Sequence, residues 1–188
     1  DLPRKKPYGG DAKKSLDILT KGGIQVKELA TLGEFEAIRD DLLSHDLIIE
    51  GILGTGLNSE VKGYYREVIS TLNAMGKPIV AIDIPSGLEA TSGTPLGICI
   101  KAAFTPTFGL PKVGQIIHPG VEFVGELEVI DIGIPGDLIE EEDIRSHLVQ
   151  YEDVQVLLPS SRLINGGNAR AYNEGLHSLA YLTDLMEG

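Results

Sequence analysis

The chain has 188 residues, of which 42% are hydrophobic and 23% are charged, and its formal net charge is −12. This length and composition are typical of a globular protein with a sizeable core. The negative charge argues against general binding to nucleic acid or to an anionic membrane, and no apolar stretch is long enough to span a bilayer. A single cysteine, Cys99, excludes an internal disulfide framework and fits a reducing compartment such as the cytoplasm.

Short apolar runs alternate with amphipathic stretches along the chain. The predicted elements, in chain order, are a helix at 12–21, a strand at 24–29, a helix at 32–43, a strand at 46–53, a helix at 62–75, and strands at 77–84, 102–108 and 126–132. This alternation predicts an α/β domain with a mainly parallel sheet covered on both faces. In such sheets the ligand crevice lies at the carboxyl ends of the strands.

The first candidate motif is EGILGTGLNSE, residues 50–60, where a predicted strand ends in Gly54-Thr55-Gly56 before a helix. Glycines let backbone N–H groups approach an anion, and a helix N-terminus favours negative charge. Tight turns also use glycine for steric reasons alone, so this motif by itself is weak. Glu50 is unusual inside an apolar run; it lies either at an exposed edge or in the crevice.

The second motif is IDIPSG, residues 82–87, which follows a predicted strand. Asp83 before Pro-Ser-Gly is a good turn former or helix cap. It is equally well placed to act as an acid, a base or a ligand at the strand end. Ser86 offers a hydroxyl and a carbonyl oxygen to a cation.

The third motif is TPTFGLPKVG, residues 105–114, where Lys112 follows another strand end. A lone lysine is most often a solvated surface charge. Three strand ends nevertheless bring a glycine turn, a carboxylate and an ammonium to one edge of the sheet, which favours a small, phosphorylated ligand. The histidines lack zinc-ligand spacing and are interpreted as surface or structural residues.

Four stretches, in this order and spacing, resemble the NAD(P)H-hydrate epimerase family, also called the YjeF N-terminal domain. They are DLIIEGILGTGL, GKPIVAIDIPSGLEATSGTPLG, FTPTFGLPKVGQIIHPG and GELEVIDIGIP. The resemblance covers roughly residues 9–135. It implies a Rossmann-like three-layer α/β/α fold and an isomerase that interconverts the R and S forms of NADHX and NADPHX, the hydrated nicotinamide cofactors. It also implies a homodimer and, as functional partner in this metabolite repair, an ADP- or ATP-dependent dehydratase.

The resemblance also implies roles for particular residues. The loop that would bind the phosphate-bearing part of the substrate comprises Gly54, Thr55, Gly56, Leu57, Asn58, Ser59 and Glu60. Asp83 would contact the substrate and act as proton donor and then as base, and Lys112 would join it in the catalytic site. Glu50 and Ser86 would hold a potassium ion, although the family usually has Asp where this chain has Glu50.

One departure from the family concerns its first strand and the Gly-rich loop that follows it. This chain lacks that loop, so we interpret residues 1–156 as an N-terminally incomplete epimerase domain and residues 157–188 as a linker or tail with a predicted helix at 173–186. Loss of a strand predicts an unpaired sheet edge and an exposed apolar groove. Two alternatives therefore stay open: a non-catalytic binding or dimerisation module, and an inactive fragment of a bifunctional epimerase and dehydratase.

Overall fold

The computed structural model describes residues 10–141 and residue 149. These belong to two compact units, the first ending at Gly133 and the second beginning at Ile134. The described part of the second unit contains one helix, α7 (Gly136–Glu141). The predicted boundary after residue 156 and the predicted helix at 173–186 lie outside the described residues, so both stay predictions.

The first unit is built on a four-stranded sheet with the order β1-β2-β3-β4. Its strands are β1 (Ile48–Glu50), β2 (Ile79–Ala81), β3 (Phe104–Phe108) and β4 (Glu126–Ile130). All neighbouring strands are parallel, with Glu50 opposite Ala81 and Val80 opposite Phe104. This confirms the predicted α/β fold with a mainly parallel sheet. Because the strands are parallel, their carboxyl ends meet at one edge of the sheet.

Six helices lie in the described part of the first unit. They are α1 (Gly10–Lys21), α2 (Leu32–Ala37), α3 (Arg39–Leu43), α4 (Gly63–Ala74), α5 (Val113–Ile116) and α6 (Val121–Val124). Helix α2 begins with a capping box, since the Thr31 hydroxyl accepts a hydrogen bond from the Glu34 N–H while the Glu34 carboxylate accepts one from the Thr31 N–H. Helix α4 buries Val68, Ile69 and Leu72, which lie on one face.

Several predicted elements were wrong in detail. Residues 24–30 form no strand: Ile24 and Val26 are exposed, and only Leu29 and Ala30 are half-buried, with Leu29 packed against the larger apolar cluster. The helix predicted at 32–43 is interrupted at Ile38. Strand β1 ends at Glu50, because the next turn folds back: the Ile52 N–H donates to the Glu50 carboxylate. Helices α5 and α6 were not predicted.

The core of the first unit consists of two apolar clusters. The larger cluster joins α2, α4, β1 and β2 and contains Ile69, Leu72, Ile79 and Ile100, among others. The smaller cluster contains Ile84, Leu88, Cys99 and Val124. Burial, and to a smaller extent the charge of Glu50, raises the pKa of the Cys99 thiol to about 12. Cys99 is therefore an unreactive core residue.

Strand β1 has a free outer edge among the described residues. Ile48 and Glu50 direct their backbone groups toward β2, so the N–H and C=O of Ile49 point away from the sheet. The Ile49 side chain is 63% exposed. Next to it lies an open groove of about 380 Å³, lined by residues that include Leu29, Phe35, Ile38, Ile49, Tyr64 and Val68. The predicted unpaired edge and apolar groove are thus both present.

Within the described ranges, no helix is both long enough and apolar enough to cross a membrane.

Candidate functional site

Asp83 lies in a strained turn directly after β2. Its φ is +68°, and it is the only non-glycine residue with a positive φ in the described part of the chain. The Ile84 N–H donates to the Ile82 carbonyl at 2.9 Å, which closes a three-residue γ-turn around Asp83. A positive φ at a side-chain-bearing residue costs energy, and such strain is often found at functional sites. The turn aims the carboxylate toward the end of β3.

Four side chains form what we call the Asp83 cluster: Asp83, Thr107, Lys112 and Gln115. Asp83 Oδ1 accepts hydrogen bonds from the Phe108 N–H at 3.0 Å and the Thr107 hydroxyl at 3.2 Å, and it directly contacts Lys112 Nζ. Lys112 Nζ also donates to Thr107 Oγ1 at 2.9 Å and to the Phe108 carbonyl at 3.3 Å. The structure therefore brings the two predicted catalytic residues into direct contact.

The two oxygens of the Asp83 carboxylate have different surroundings. All three donors contact Oδ1, and no described residue donates to Oδ2. Every buried polar side-chain atom in the described residues has a hydrogen-bond partner. Oδ2 has none, so it is not buried and faces solvent. The side chains of Asp83 and Lys112 are 28% and 19% exposed. One oxygen is thus fixed by the protein, while the other is available to a bound molecule.

The charge state of Asp83 follows from these contacts. Burial by itself raises the pKa of the carboxyl group, but this is outweighed by the hydrogen bond from Lys112, the Phe108 N–H, the charge of Lys112 and the Thr107 hydroxyl. The net result is a pKa below the ordinary value of an aspartate. Asp83 therefore rests as a carboxylate at neutral pH, which suits a base better than a proton donor.

Sequence reasoning missed Thr107 and Gln115. Both are fully buried, with relative exposures of 0%. Gln115 lies in α5, and its amide contacts the backbone of both Asp83 and Lys112. The available signal was a glutamine in the otherwise apolar run VGQII, three residues after Lys112, and a threonine whose side chain shares one face of β3 with Thr105. A buried polar residue next to a candidate site is informative because it requires partners.

Glu50 and Ser86 form a second, closed arrangement, which we call the Glu50 cluster. Ser86 donates to the Glu50 carboxylate twice, from its N–H at 3.0 Å and its hydroxyl at 2.6 Å. The Ile52 N–H adds a third hydrogen bond at 3.1 Å, and the Leu53 N–H donates to the Ser86 hydroxyl at 2.8 Å. Glu50 is 4% exposed and Ser86 is 0% exposed. The structure thus brings the two predicted potassium ligands together at the ends of β1 and β2.

These residues offer suitable oxygen atoms for potassium, but most of the acceptor positions of the Glu50 carboxylate are already occupied by hydrogen bonds from the protein. A carboxylate has about four acceptor positions, and three of those of Glu50 are taken by the protein. Hard cations need a shell of several oxygens. The described Glu50 cluster does not provide that shell, so potassium binding here stays a prediction.

The loop from Gly54 to Glu60 follows β1 and is exposed except at Leu57. Neither Gly54 nor Gly56 has an atom within 4 Å of where a Cβ would be, so the loop surface is open. No hydrogen bond joins these residues to Asp83 or Lys112 within the described part of the chain. The loop instead leads into Val61, whose N–H donates to the Leu96 carbonyl at 2.9 Å. The loop thus follows the carboxyl end of β1 and has no hydrogen bond to the Asp83 cluster among the described residues.

The parallel sheet, the strained aspartate and the adjacent lysine define an α/β domain with a half-buried carboxylate–ammonium pair at the carboxyl ends of its strands. A family model described as "YjeF-related protein N-terminus" matches residues 2–114. The chain belongs to this family, which confirms the resemblance seen in its sequence motifs.

Curated relatives carry related names. The chain is 41% identical over 150 residues to the "Bifunctional NAD(P)H-hydrate repair enzyme Nnr" of Moorella thermoacetica, a match that covers 79% of this chain and 28% of the relative. It is 35% identical over 133 residues to the "NAD(P)H-hydrate epimerase" of Rhodopirellula baltica, covering 70% of this chain and 52% of the relative. The chain thus spans about a quarter to a half of the length of these relatives.

Proposed function

We propose that this protein is an isomerase that interconverts the R and S forms of NADHX and NADPHX. Family membership and the names of the relatives support this activity. The observation that carries the proposal is the Asp83–Lys112 pair, in which a carboxylate with one free oxygen contacts an ammonium group at the edge of a parallel sheet. A carboxylate and an ammonium in contact can accept and donate protons in one catalytic cycle.

The reaction inverts a carbon that carries a hydroxyl group on a reduced pyridine ring. In the first step the C–O bond breaks, the oxygen leaves as water with a proton from Lys112, and the ring nitrogen delocalises the positive charge. In the second step water adds to the opposite face of the ring, and Asp83 Oδ2 takes its extra proton. The direct contact between Asp83 and Lys112 then returns this proton to the amine and restores both groups.

This assignment changes one role expected from the sequence. Asp83 was expected to donate the first proton, but its lowered pKa keeps it ionised at neutral pH. Lys112 is the better donor, since its longest contact, 3.3 Å to the Phe108 carbonyl, is the one that a leaving hydroxyl group replaces most readily. Asp83 then acts only as the base.

The exposed loop from Gly54 to Glu60 is proposed to bind the phosphate-bearing part of the substrate. Its glycines leave backbone N–H groups accessible, and the twelve-residue helix α4 begins at Gly63 shortly after it. The N-cap residue Lys62 makes no side-chain hydrogen bond to α4 among the described residues, and a helix N-terminus favours an anion.

Potassium is proposed to bind next to Glu50 and Ser86, and no step of the reaction above depends on it. Binding would require the Ser86 hydroxyl to turn away from the Glu50 carboxylate and so free an oxygen on each. Thermal unfolding in KCl and in LiCl at equal ionic strength tests this point. A higher midpoint in KCl that disappears in Ser86→Ala supports the site, and equal midpoints for the wild type contradict it.

The remaining parts of the proposal concern partners and location. A homodimer is expected, and sedimentation measurements test it directly. An ADP- or ATP-dependent NAD(P)H-hydrate dehydratase is the proposed functional partner, because two activities are implied by the name of the bifunctional relatives. A cytoplasmic location is also proposed, on the basis of the single buried cysteine.

The deciding experiment measures turnover of purified R-NADHX, with potassium present, coupled to an excess of a dehydratase specific for the S form. We expect turnover that increases linearly with protein concentration. A folded protein without any turnover would overturn the proposal in favour of a non-catalytic binding module, for which the free edge of β1 offers a surface.

A further inference from the structure

Gln115 connects the two halves of the Asp83–Lys112 pair through its side-chain amide. Its Nε2 donates to the backbone carbonyl of Asp83 at 2.7 Å, and its Oε1 accepts from the backbone N–H of Lys112 at 2.8 Å. The orientation of the amide is determined by these partners, because a carbonyl can only accept and an N–H can only donate. Residues from the ends of two different strands are thus joined through one buried side chain.

Both contacts act on the backbone of the residues that carry the reacting groups. The hydrogen bond to the Asp83 carbonyl lies in the γ-turn where φ is +68°, so it helps to hold a conformation that the backbone alone disfavours. The hydrogen bond from the Lys112 N–H fixes the N-cap residue, directly before the start of α5. Gln115 Oε1 also lies 3.1 Å from Thr107 Oγ1, so it shares the single proton of that hydroxyl with Asp83 Oδ1, and Thr107 Oγ1 accepts from Lys112 Nζ.

We propose that Gln115 is a positioning residue that sets the distance between the Asp83 carboxylate and the Lys112 ammonium. It does not touch the reacting atoms, since it is fully buried and neither of its polar atoms reaches Asp83 Oδ2. It acts by holding two backbone segments together. The inference rests on the proposed function for its kinetic consequence, but its structural consequence is measurable without any substrate.

The chain offers a matched control in Asn73, a second amide that bridges two backbone groups. Its Nδ2 donates to the Cys99 carbonyl at 2.9 Å, and its Oδ1 accepts from the Lys101 N–H at 3.0 Å. None of its partners belongs to the Asp83 cluster. Loss of this amide therefore removes the same kind of interaction from a part of the protein that does not hold the reacting groups.

The experiment compares Gln115→Met with Asn73→Leu, because each substitution replaces an amide by an apolar side chain of similar size. The titration of the Asp83 carboxyl carbon is followed by NMR in the wild type and both variants, and kcat and KM for R-NADHX are measured separately. In Gln115→Met we expect Asp83 to titrate at higher pH than in the wild type, because its donors are no longer held in place. We expect kcat to fall about a hundredfold with little change in KM, as for a displaced reacting group.

Asn73→Leu is expected to leave both the Asp83 titration and kcat as in the wild type, even if it unfolds at a lower temperature. A folded Gln115→Met with an unchanged Asp83 titration would overturn the inference, and so would an equal shift in Asn73→Leu. If Gln115→Met does not fold, Gln115→Asn replaces it, since a side chain shorter by one methylene group cannot reach both partners. If the wild type has no epimerase activity, the proposed function fails while the titration still decides the role of Gln115.

Discussion

Two carboxylates lie at neighbouring strand ends of the same sheet, and they differ in their hydrogen-bond donors and in their exposure. In the Glu50 cluster, both carboxylate oxygens accept hydrogen bonds from Ser86 or from the Ile52 backbone, and the residue is 4% exposed. In the Asp83 cluster, every donor among the described residues contacts one oxygen, Oδ1, and the side chain is 28% exposed beside Lys112. Glu50 has neutral donors only, whereas Asp83 has a charged one.

We propose that this difference separates a structural carboxylate from a reactive one. A buried carboxylate satisfied by backbone N–H groups and a hydroxyl ties segments together and has little reason to exchange protons. A carboxylate with one free oxygen and an adjacent ammonium can receive a proton and pass it on. Position at a strand end therefore identifies candidates, but the distribution of donors over the two oxygens distinguishes their roles.

The largest expected effect is the loss of turnover in Asp83→Asn. An amide cannot take a proton from water, so we expect turnover of R-NADHX to fall by about 10²–10⁴-fold. The fold should persist, because asparagine is among the residues that best tolerate a positive φ. Circular dichroism and the thermal midpoint check the fold, and the coupled assay checks activity.

Asp41→Asn is the control for that substitution. Asp41 is an exposed aspartate that pairs with Lys27 at 2.9 Å, outside both clusters. We expect it to turn over substrate as the wild type does. An active Asp83→Asn variant would contradict the role of Asp83 as base. The two carboxylate clusters would then not differ in reactivity.

The sequence was sufficient to predict the sheet and the strand ends that carry the site. Strong apolar runs indicated β1, β2, β3 and β4, and the family motifs pointed to Asp83 and Lys112. It was not sufficient for segment 24–29, because an apolar pattern shows that a strand is feasible and not that a partner strand is present. The sequence also did not predict that Ser86 donates two hydrogen bonds to the Glu50 carboxylate, because this depends on where Ser86 lies in space.

The role of Gln115 could not be predicted from the sequence either. Its side chain donates to Asp83, which lies 32 positions earlier in the chain. No local pattern contains such a contact, because the contact exists only after β2 and β3 have been placed side by side. The γ-turn at Asp83 is also invisible in the sequence, where Asp-Ile-Pro predicts a turn but not its sign of φ.

The second prediction concerns the packing that supports Lys112. A Cβ on Gly114 would lie 2.4 Å from the Glu89 carbonyl oxygen and 2.6 Å from the Gly93 nitrogen, which are both backbone atoms. Gly114→Ala must therefore displace the start of α5, and we expect a loss of about 3 kcal/mol in the free energy of unfolding. Urea denaturation measures this loss.

Gly54→Ala provides the contrasting glycine. A Cβ there meets no atom within 4 Å, so the free energy of unfolding should stay close to that of the wild type. Because Gly54 lies in the proposed substrate loop, its KM should rise instead. If Gly114→Ala and Gly54→Ala lower the free energy of unfolding by the same amount, the close backbone packing around Gly114 does not support the Asp83 cluster.

The third prediction examines the Glu50 cluster. Ser86→Ala removes the hydroxyl that donates to Glu50 at 2.6 Å and accepts from the Leu53 N–H. We expect the free energy of unfolding to fall by about 2 kcal/mol, since a buried hydrogen bond to a carboxylate is lost. Urea denaturation gives the value. If the Glu50 cluster is structural, the kcat of folded Ser86→Ala should fall far less than that of Asp83→Asn. An equally large fall in kcat would mean that Ser86 takes part in the reaction.

The smallest effect is the pH dependence that Asp83 gives to stability. Burial opposes ionisation of Asp83, but Lys112, the Phe108 N–H and Thr107 together hold its pKa below the usual value in the folded protein. The unfolded chain then binds the proton more readily, so this contribution is complete above the unfolded pKa of about 3.9 and is lost as pH falls through the lower folded pKa. The difference in urea midpoint between the wild type and Asp83→Asn should therefore be constant near pH 7 and shrink below about pH 4.

Other carboxylates do not obscure this measurement. The hydrogen bond and charge of Lys27 lower the pKa of Asp41, and hydrogen bonds from Ser92 and Thr91 lower that of Glu89, so both also reduce stability at acidic pH. Since both residues are present in the wild type and in Asp83→Asn, their contributions cancel in the difference. A difference that grows as the pH falls would mean that Asp83 has a raised pKa when folded, and Asp83 would then regain the role of proton donor.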